Sequence, residues 1–66
     1  MKVIVNGNDV ELERDATVAT LLSHLGLPMT GIAVEQNKII VKKDLYKSAD
    51  LNEGDRLEIV HFVGGG

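Results

Sequence analysis

The spacing of apolar residues along this chain switches between the period of a strand and that of a helix. Residues 1–6, Met-Lys-Val-Ile-Val-Asn, are rich in β-branched side chains, and the pair Asn6-Gly7 closes the run. Asn-Gly beside such a run is a strong hairpin signal, because its tight turn needs residues that accept positive φ. Residues 9–14 then alternate, with Val10 and Leu12 on one face and Glu11 and Glu13 on the other. That alternation predicts a half-buried strand. The chain therefore opens with a β-hairpin whose inward residues are Met1, Val3 and Val5.

From Thr17 the period changes. Val18, Leu21, Leu22 and Leu25 recur at helical spacing and form one apolar stripe. Thr17 suits the N-cap, since its hydroxyl can accept from a free N–H of the first turn. Gly26 suits the left-handed position after the helix, and Pro28 prevents continuation. His24 falls in the last turn, where a cation favours the helix dipole. Residues 31–41 read as a strand, a turn at Asn37-Lys38 and a second short strand. Residues 42–49 read as a short helical turn with either Leu45 or Tyr46 inward. A turn at Asn52-Glu53-Gly54-Asp55 precedes a last strand over Arg56–Phe62, with Leu57 and Ile59 inward. The order β-β-α-β-β-turn-β gives an α+β fold: one mixed sheet of four to five strands packed on one helix. Its first and last strands lie parallel at the sheet centre.

Composition narrows the chemistry. With 66 residues the chain is one domain, too short for a cleft between two lobes. It contains no cysteine, so disulfides and thiolate metal sites are impossible, and aliphatic packing must supply the stability. The net charge of −3 argues against nucleic acid, which needs a clustered cationic face. Lys38, Lys42, Lys43 and Lys47 are spread among acids and lack aromatic stacking partners. No apolar run approaches the roughly 18 residues of a membrane span, and no secretory leader opens the chain, so a cytoplasmic location is expected.

Catalytic groupings are absent from the pattern. Ser23 and Ser48 sit in no nucleophile motif, and His24 and His61 are separated by most of the chain. Glu11, Glu13, Asp44, Asp50, Glu53, Asp55 and Glu58 read as a solvated face. No metal-ligand spacing occurs. Gly64, Gly65 and Gly66 cannot form a phosphate loop, which needs a helix after it.

The glycines themselves carry the remaining signal. Their one chemical group is the Gly66 α-carboxylate, ionised at neutral pH. A carboxylate is a poor electrophile; conversion to an acyl-adenylate would make it a good one, using ATP bound by a second protein. Val63 to Gly66 in extended form reach about 13 Å. Without Cβ atoms the glycines could thread a narrow channel and present an unhindered carbonyl. A frayed end with no role is the plainer alternative. Val60 and Phe62 fall on the face opposite Leu57 and Ile59, which suggests a docking surface beside the tail, or alternatively a capped core edge.

The element order, the Asn6-Gly7 hairpin, the "TVATLL" helix start, the "IAVEQNKIIV" segment and the close "LNEGDRLEIVHFVGGG" together resemble the ThiS-type sulfur carriers of thiamin thiazole biosynthesis. The likeness covers essentially the whole chain, although a Gly-Gly ending alone is a weak signal. The resemblance implies a ubiquitin-like β-grasp domain over residues 1–63 and a flexible tail over residues 64–66, with no processing step after Gly66. It implies a carrier rather than an enzyme, with no bound cofactor of its own. A ThiF-like adenylyltransferase would use ATP and magnesium to adenylate Gly66. A sulfur-donating enzyme would supply the atom that turns it into a thiocarboxylate, and a ThiG-like thiazole synthase would receive that sulfur. Val63, Gly64 and Gly65 would be recognised as the tail, and Val60 and Phe62 would dock. The small subunit of molybdopterin synthase, a lysine-conjugating ubiquitin-like modifier and a non-covalent β-grasp binding module are the alternatives.

Overall fold

The computed structural model describes residues 1–62. Its strands are β1 (Lys2–Val5), β2 (Asn8–Glu11), β3 (Ile32–Gln36), β4 (Ile39–Val41) and β5 (Arg56–His61). One helix, α1 (Val18–His24), follows β2, and a single 3-10 turn, Lys43–Leu45, follows β4. The strands form one five-stranded sheet in the order β2-β1-β5-β3-β4. β1 and β5 run parallel side by side in its middle, and the other pairs are antiparallel. This is the mixed sheet expected from the apolar pattern, in the β-grasp arrangement that the resemblance implies.

Both hairpins close through residues in the left-handed region. Asn6 and Gly7 have φ of 49° and 85°, and Asn37 and Lys38 have 52° and 71°. Positive φ at both central residues matches the twist of the flanking strands, which is why Asn-Gly and similar pairs occur there. Lys38 is the unusual member, since a non-glycine residue without a short polar side chain is disfavoured in this region.

One side of the sheet is covered. Val3, Val5, Leu12, Ile32, Val34, Leu57 and Ile59 from the sheet side cluster with Val18, Leu21 and Leu22 of α1, and with Ala16, Tyr46 and Leu51. Leu21 and Leu22 are fully buried; each contributes about 2 kcal/mol of apolar burial. The helix start is closed by the neighbouring chain. Thr17 Oγ1 accepts from the Thr20 N–H, Ala49 O accepts from the Val18 N–H, and Tyr46 O accepts from the Ala19 N–H. The free donors of a helix N-terminus are thus used to fasten the 42–49 segment across it. At the other end Gly26 has φ 71°, and the Leu27 N–H donates to Leu22 O while the Gly26 N–H donates to Ser23 O. These are the paired bonds of a Schellman close.

Several expectations change. The stripe of α1 stops at Leu22: Leu25 is exposed, because the chain turns out at Gly26. Of the two candidates in the 42–49 segment, Tyr46 is buried and Leu45 is exposed. The second strand ends at Glu11, short of residue 14, yet Leu12 is still held by its N–H bond to Met1 O. Met1 is half-buried against the core. The last strand ends at His61, with Phe62 just beyond it.

Asp55 departs furthest from expectation. Read as part of a solvated face, it is buried. Its carboxylate accepts from the Gln36 side chain at 2.9 Å, the Asn37 side chain at 3.0 Å and the Asn52 backbone N–H at 2.8 Å. Burial by itself pushes this carboxyl up, but the bonds from Asn37, Asn52 and Gln36 outweigh it and hold the group below its ordinary value. Asp55 therefore ties the 52–55 turn to the end of β3 and the start of the β3–β4 turn.

Candidate functional site

β5 is the element that leads to the terminal glycines, and it is held on both edges for most of its length. Along β3 its register runs from Gln36↔Leu57 to Ile32↔His61. That edge continues to Phe62, whose N–H donates to Gly31 O at 2.9 Å. Along β1 the pairing is Ile4↔Arg56 and Val5↔Leu57, and the Asn6 N–H donates to Leu57 O at 2.9 Å. There the backbone of β1 turns away at Gly7. The Asn6 side chain takes the next place in the ladder: Oδ1 accepts from the Ile59 N–H at 2.8 Å and Nδ2 donates to Ile59 O at 3.1 Å.

The two faces of β5 differ completely. Leu57 and Ile59 are buried in the core, whereas Val60 is 56% and Phe62 61% exposed. Alternation along the strand sends these pairs to opposite sides. Val60 and Phe62 thus lie on the uncovered face of the sheet, and the capped-edge alternative does not hold for them. Residues directly opposite one another in the ladder share a face, so Ala33 beside Val60 lies on the same side, as do Glu35 and Glu58, which face each other across β3 and β5. Ile40, opposite Glu35, adds a further exposed apolar group. The result is a patch of Ile40, Ala33, Val60 and Phe62 containing two carboxylates. Ile40 was hidden in the sequence because Ile39-Ile40-Val41 shows no alternation.

Among the described residues no group of histidine, aspartate and glutamate side chains is arranged to hold a metal ion. Among them, too, no helix is long and apolar enough to cross a membrane. His24 and His61 stand on different elements, α1 and β5, as the sequence implies. Val63, Gly64, Gly65 and Gly66, read as the recognised tail and the sulfur-bearing end, lie outside the described residues, as does the boundary between domain and tail after residue 63.

Known proteins share this arrangement. The chain is similar to the sulfur carrier protein ThiS of Bacillus subtilis, at 43% identity over 63 residues, covering 94% of this chain and 96% of that one. A crystal structure of the thiamine biosynthesis protein ThiS from Geobacter metallireducens superposes with a TM-score of 0.83 at 28% identity, covering 100% of both chains. A thiazole synthase of Paramagnetospirillum magneticum is 44% identical over all 66 residues, but the chain spans only 20% of its length. The ThiS family model matches residues 3–66, from the start of the buried part of β1 through the last glycine. By sequence along nearly its whole length and by fold, the chain belongs to the ThiS family.

Proposed function

We propose that this chain is a sulfur carrier of thiamine biosynthesis, not a catalyst, and that its working atom is the carboxyl carbon of Gly66. The observation that carries the reading is the family match, which runs unbroken from the folded domain through Gly66. The likeness to the Bacillus sulfur carrier, over nearly all of both chains, supports it.

The chemistry follows from the carboxylate. One Gly66 oxygen attacks the α-phosphorus of ATP and pyrophosphate leaves, with magnesium and the nucleotide held by a ThiF-like adenylyltransferase. The acyl-adenylate has AMP as a good leaving group. Sulfide-level sulfur supplied by a donating enzyme attacks the acyl carbon, AMP leaves, and the end becomes a thiocarboxylate. A ThiG-like thiazole synthase then takes the sulfur, an oxygen from its substrate or from water replaces it on the acyl carbon, and the carboxylate returns. The thiazole synthase is supported as the acceptor because two proteins of that name, each several times longer, contain a stretch that aligns with all of this chain. The cytoplasm, where ATP is available, is the proposed location.

The folded part serves as a handle. Val60 and Phe62 present apolar surface within a few residues of Gly66, and exposed apolar patches of this kind mark docking sites. Gly64 and Gly65, lacking Cβ atoms, let the end enter a narrow active site, and Val63 leads them in. The test is ATP–pyrophosphate exchange with a purified adenylyltransferase of this class. Exchange that depends on the carrier, and that is lost when Gly65 and Gly66 are deleted, is the expected result. Exchange that persists after the deletion overturns the assignment and favours a non-covalent binding module.

A further inference from the structure

Asn6 does more than close the first hairpin. Its turn needs only a residue that accepts φ near 49°, a demand that Asn, Asp and Gly all meet. The side chain meets a second and more selective demand. At 2.8 Å Oδ1 accepts from the Ile59 N–H, and at 3.1 Å Nδ2 donates to Ile59 O. Both partners belong to one residue of β5, fifty-three positions away in sequence. Only a primary amide offers a donor and an acceptor side by side in this way. Aspartate would set a carboxylate against the Ile59 carbonyl, and glycine would offer nothing.

The location gives this splint its consequence. The last backbone bond from β1 to β5 ends on Leu57 O. Beyond it, the β1-facing edge of β5 is held at Ile59 by Asn6 alone among the described residues, while the opposite edge stays laddered to β3 as far as Phe62. A strand held on one edge can swing about the remaining ladder. A strand held on both edges cannot. Among the described residues, Ile59 is the last position at which the β1-facing edge of the strand is held before the chain runs on toward Gly66.

We infer that Asn6 is a positioning residue for the charging of Gly66, its amide fixing the direction in which the chain leaves the sheet after Ile59. The inference rests on the reading of Gly66 as the adenylated end. Val60 and Phe62 keep their bonds to β3 without it, so docking is preserved. The reacting carbonyl is displaced instead, and displacements of about 1 Å at a reacting atom lower rates by as much as about 100-fold.

The test is N6G, which keeps the left-handed turn and removes both bonds. Hydrogen exchange of the folded variant should be faster at the Ile59 amide and unchanged at Val34 in the core. In steady-state adenylation, kcat should fall about tenfold while KM for the carrier stays within about twofold, a split that a general loss of stability would not produce. N6D, which keeps the turn and the acceptor but sets a carboxylate against the Ile59 carbonyl, should likewise fail to restore the wild-type kcat. Unchanged kcat, a change confined to KM, or unchanged exchange at Ile59 overturns the inference while leaving the Gly66 reading intact. A wild-type chain that is never adenylated overturns that parent reading and this inference with it.

Discussion

β5 begins against a buried carboxylate and ends against solvent. At Arg56 the backbone N–H donates to Asn37 Oδ1, Arg56 O accepts from the Asn37 N–H, and the preceding residue, Asp55, accepts three further bonds. At Phe62 one backbone bond to Gly31 remains, and the ring stands largely in water. The first end is built from polar groups that satisfy each other within the fold, and among the described residues no buried side-chain donor or acceptor is left unpartnered. The second end exposes apolar groups that none of the other described residues covers. Buried polar bonding is concentrated where the strand enters the sheet, and exposed apolar surface lies where it leaves. The proposed transfer of sulfur through Gly66 would use this division, with the exit end open to partners while the domain stays folded.

The contrast can be broken most severely at the exit. Adding one alanine after Gly66 should abolish adenylation, lowering the rate by more than about 100-fold, because the reacting carbonyl is displaced by a whole residue. The circular dichroism spectrum and urea midpoint should not move. Normal adenylation of the extended chain would show that the position of the end is not read.

The entry end should answer in stability. Asp55→Ala leaves Gln36, Asn37 and the Asn52 N–H without their acceptor and should destabilise the fold by about 3 kcal/mol, measured by urea unfolding. A loss below about 0.5 kcal/mol would mean that the network is ornamental. The same carboxylate predicts an acid dependence. Its folded value lies below its ordinary one, so its contribution is fully present above the unfolded value of about 3.9 and is lost as pH falls through the lower folded value. Thermal unfolding of Asp55→Asn should therefore show a shallower decline below about pH 4 than the wild type. Parallel declines would remove Asp55 from the acid response.

The smallest stability change belongs to the exit again. Phe62→Ala should shift unfolding by less than about 1 kcal/mol, as expected for a largely exposed side chain. Binding to the adenylyltransferase should nevertheless weaken measurably by calorimetry. Unaltered binding would dismiss Phe62 as a docking residue.

Much of this architecture was written in local patterns. Asn6-Gly7, Thr17, Gly26 and the alternation of Leu57 and Ile59 each act through neighbours a few residues away, so the sequence reveals the hairpin, the helix caps and the faces of β5. The exposure of Val60 and Phe62 follows from the same alternation. What stayed hidden depends on partners far along the chain. Asp55 looks like any surface aspartate until folding brings Gln36 and Asn37 to it; only its position three residues after Asn52, at the close of a turn, hinted at a bond to the Asn52 N–H. The second role of Asn6 is concealed by its first, since a turn signal explains the residue fully without β5. Leu25 kept helical spacing but lost its cover when the chain turned at Gly26.

The central claim concerns one atom, and intact mass spectrometry of the protein isolated from its own cells, read at the C-terminal peptide, tests it most directly. The account predicts a fraction of chains in which one oxygen of the Gly66 carboxylate is replaced by sulfur, growing when thiazole synthase is removed. Chains that carry only an ordinary carboxylate under every condition, or whose Gly66 is found joined to lysines of other proteins, would contradict it.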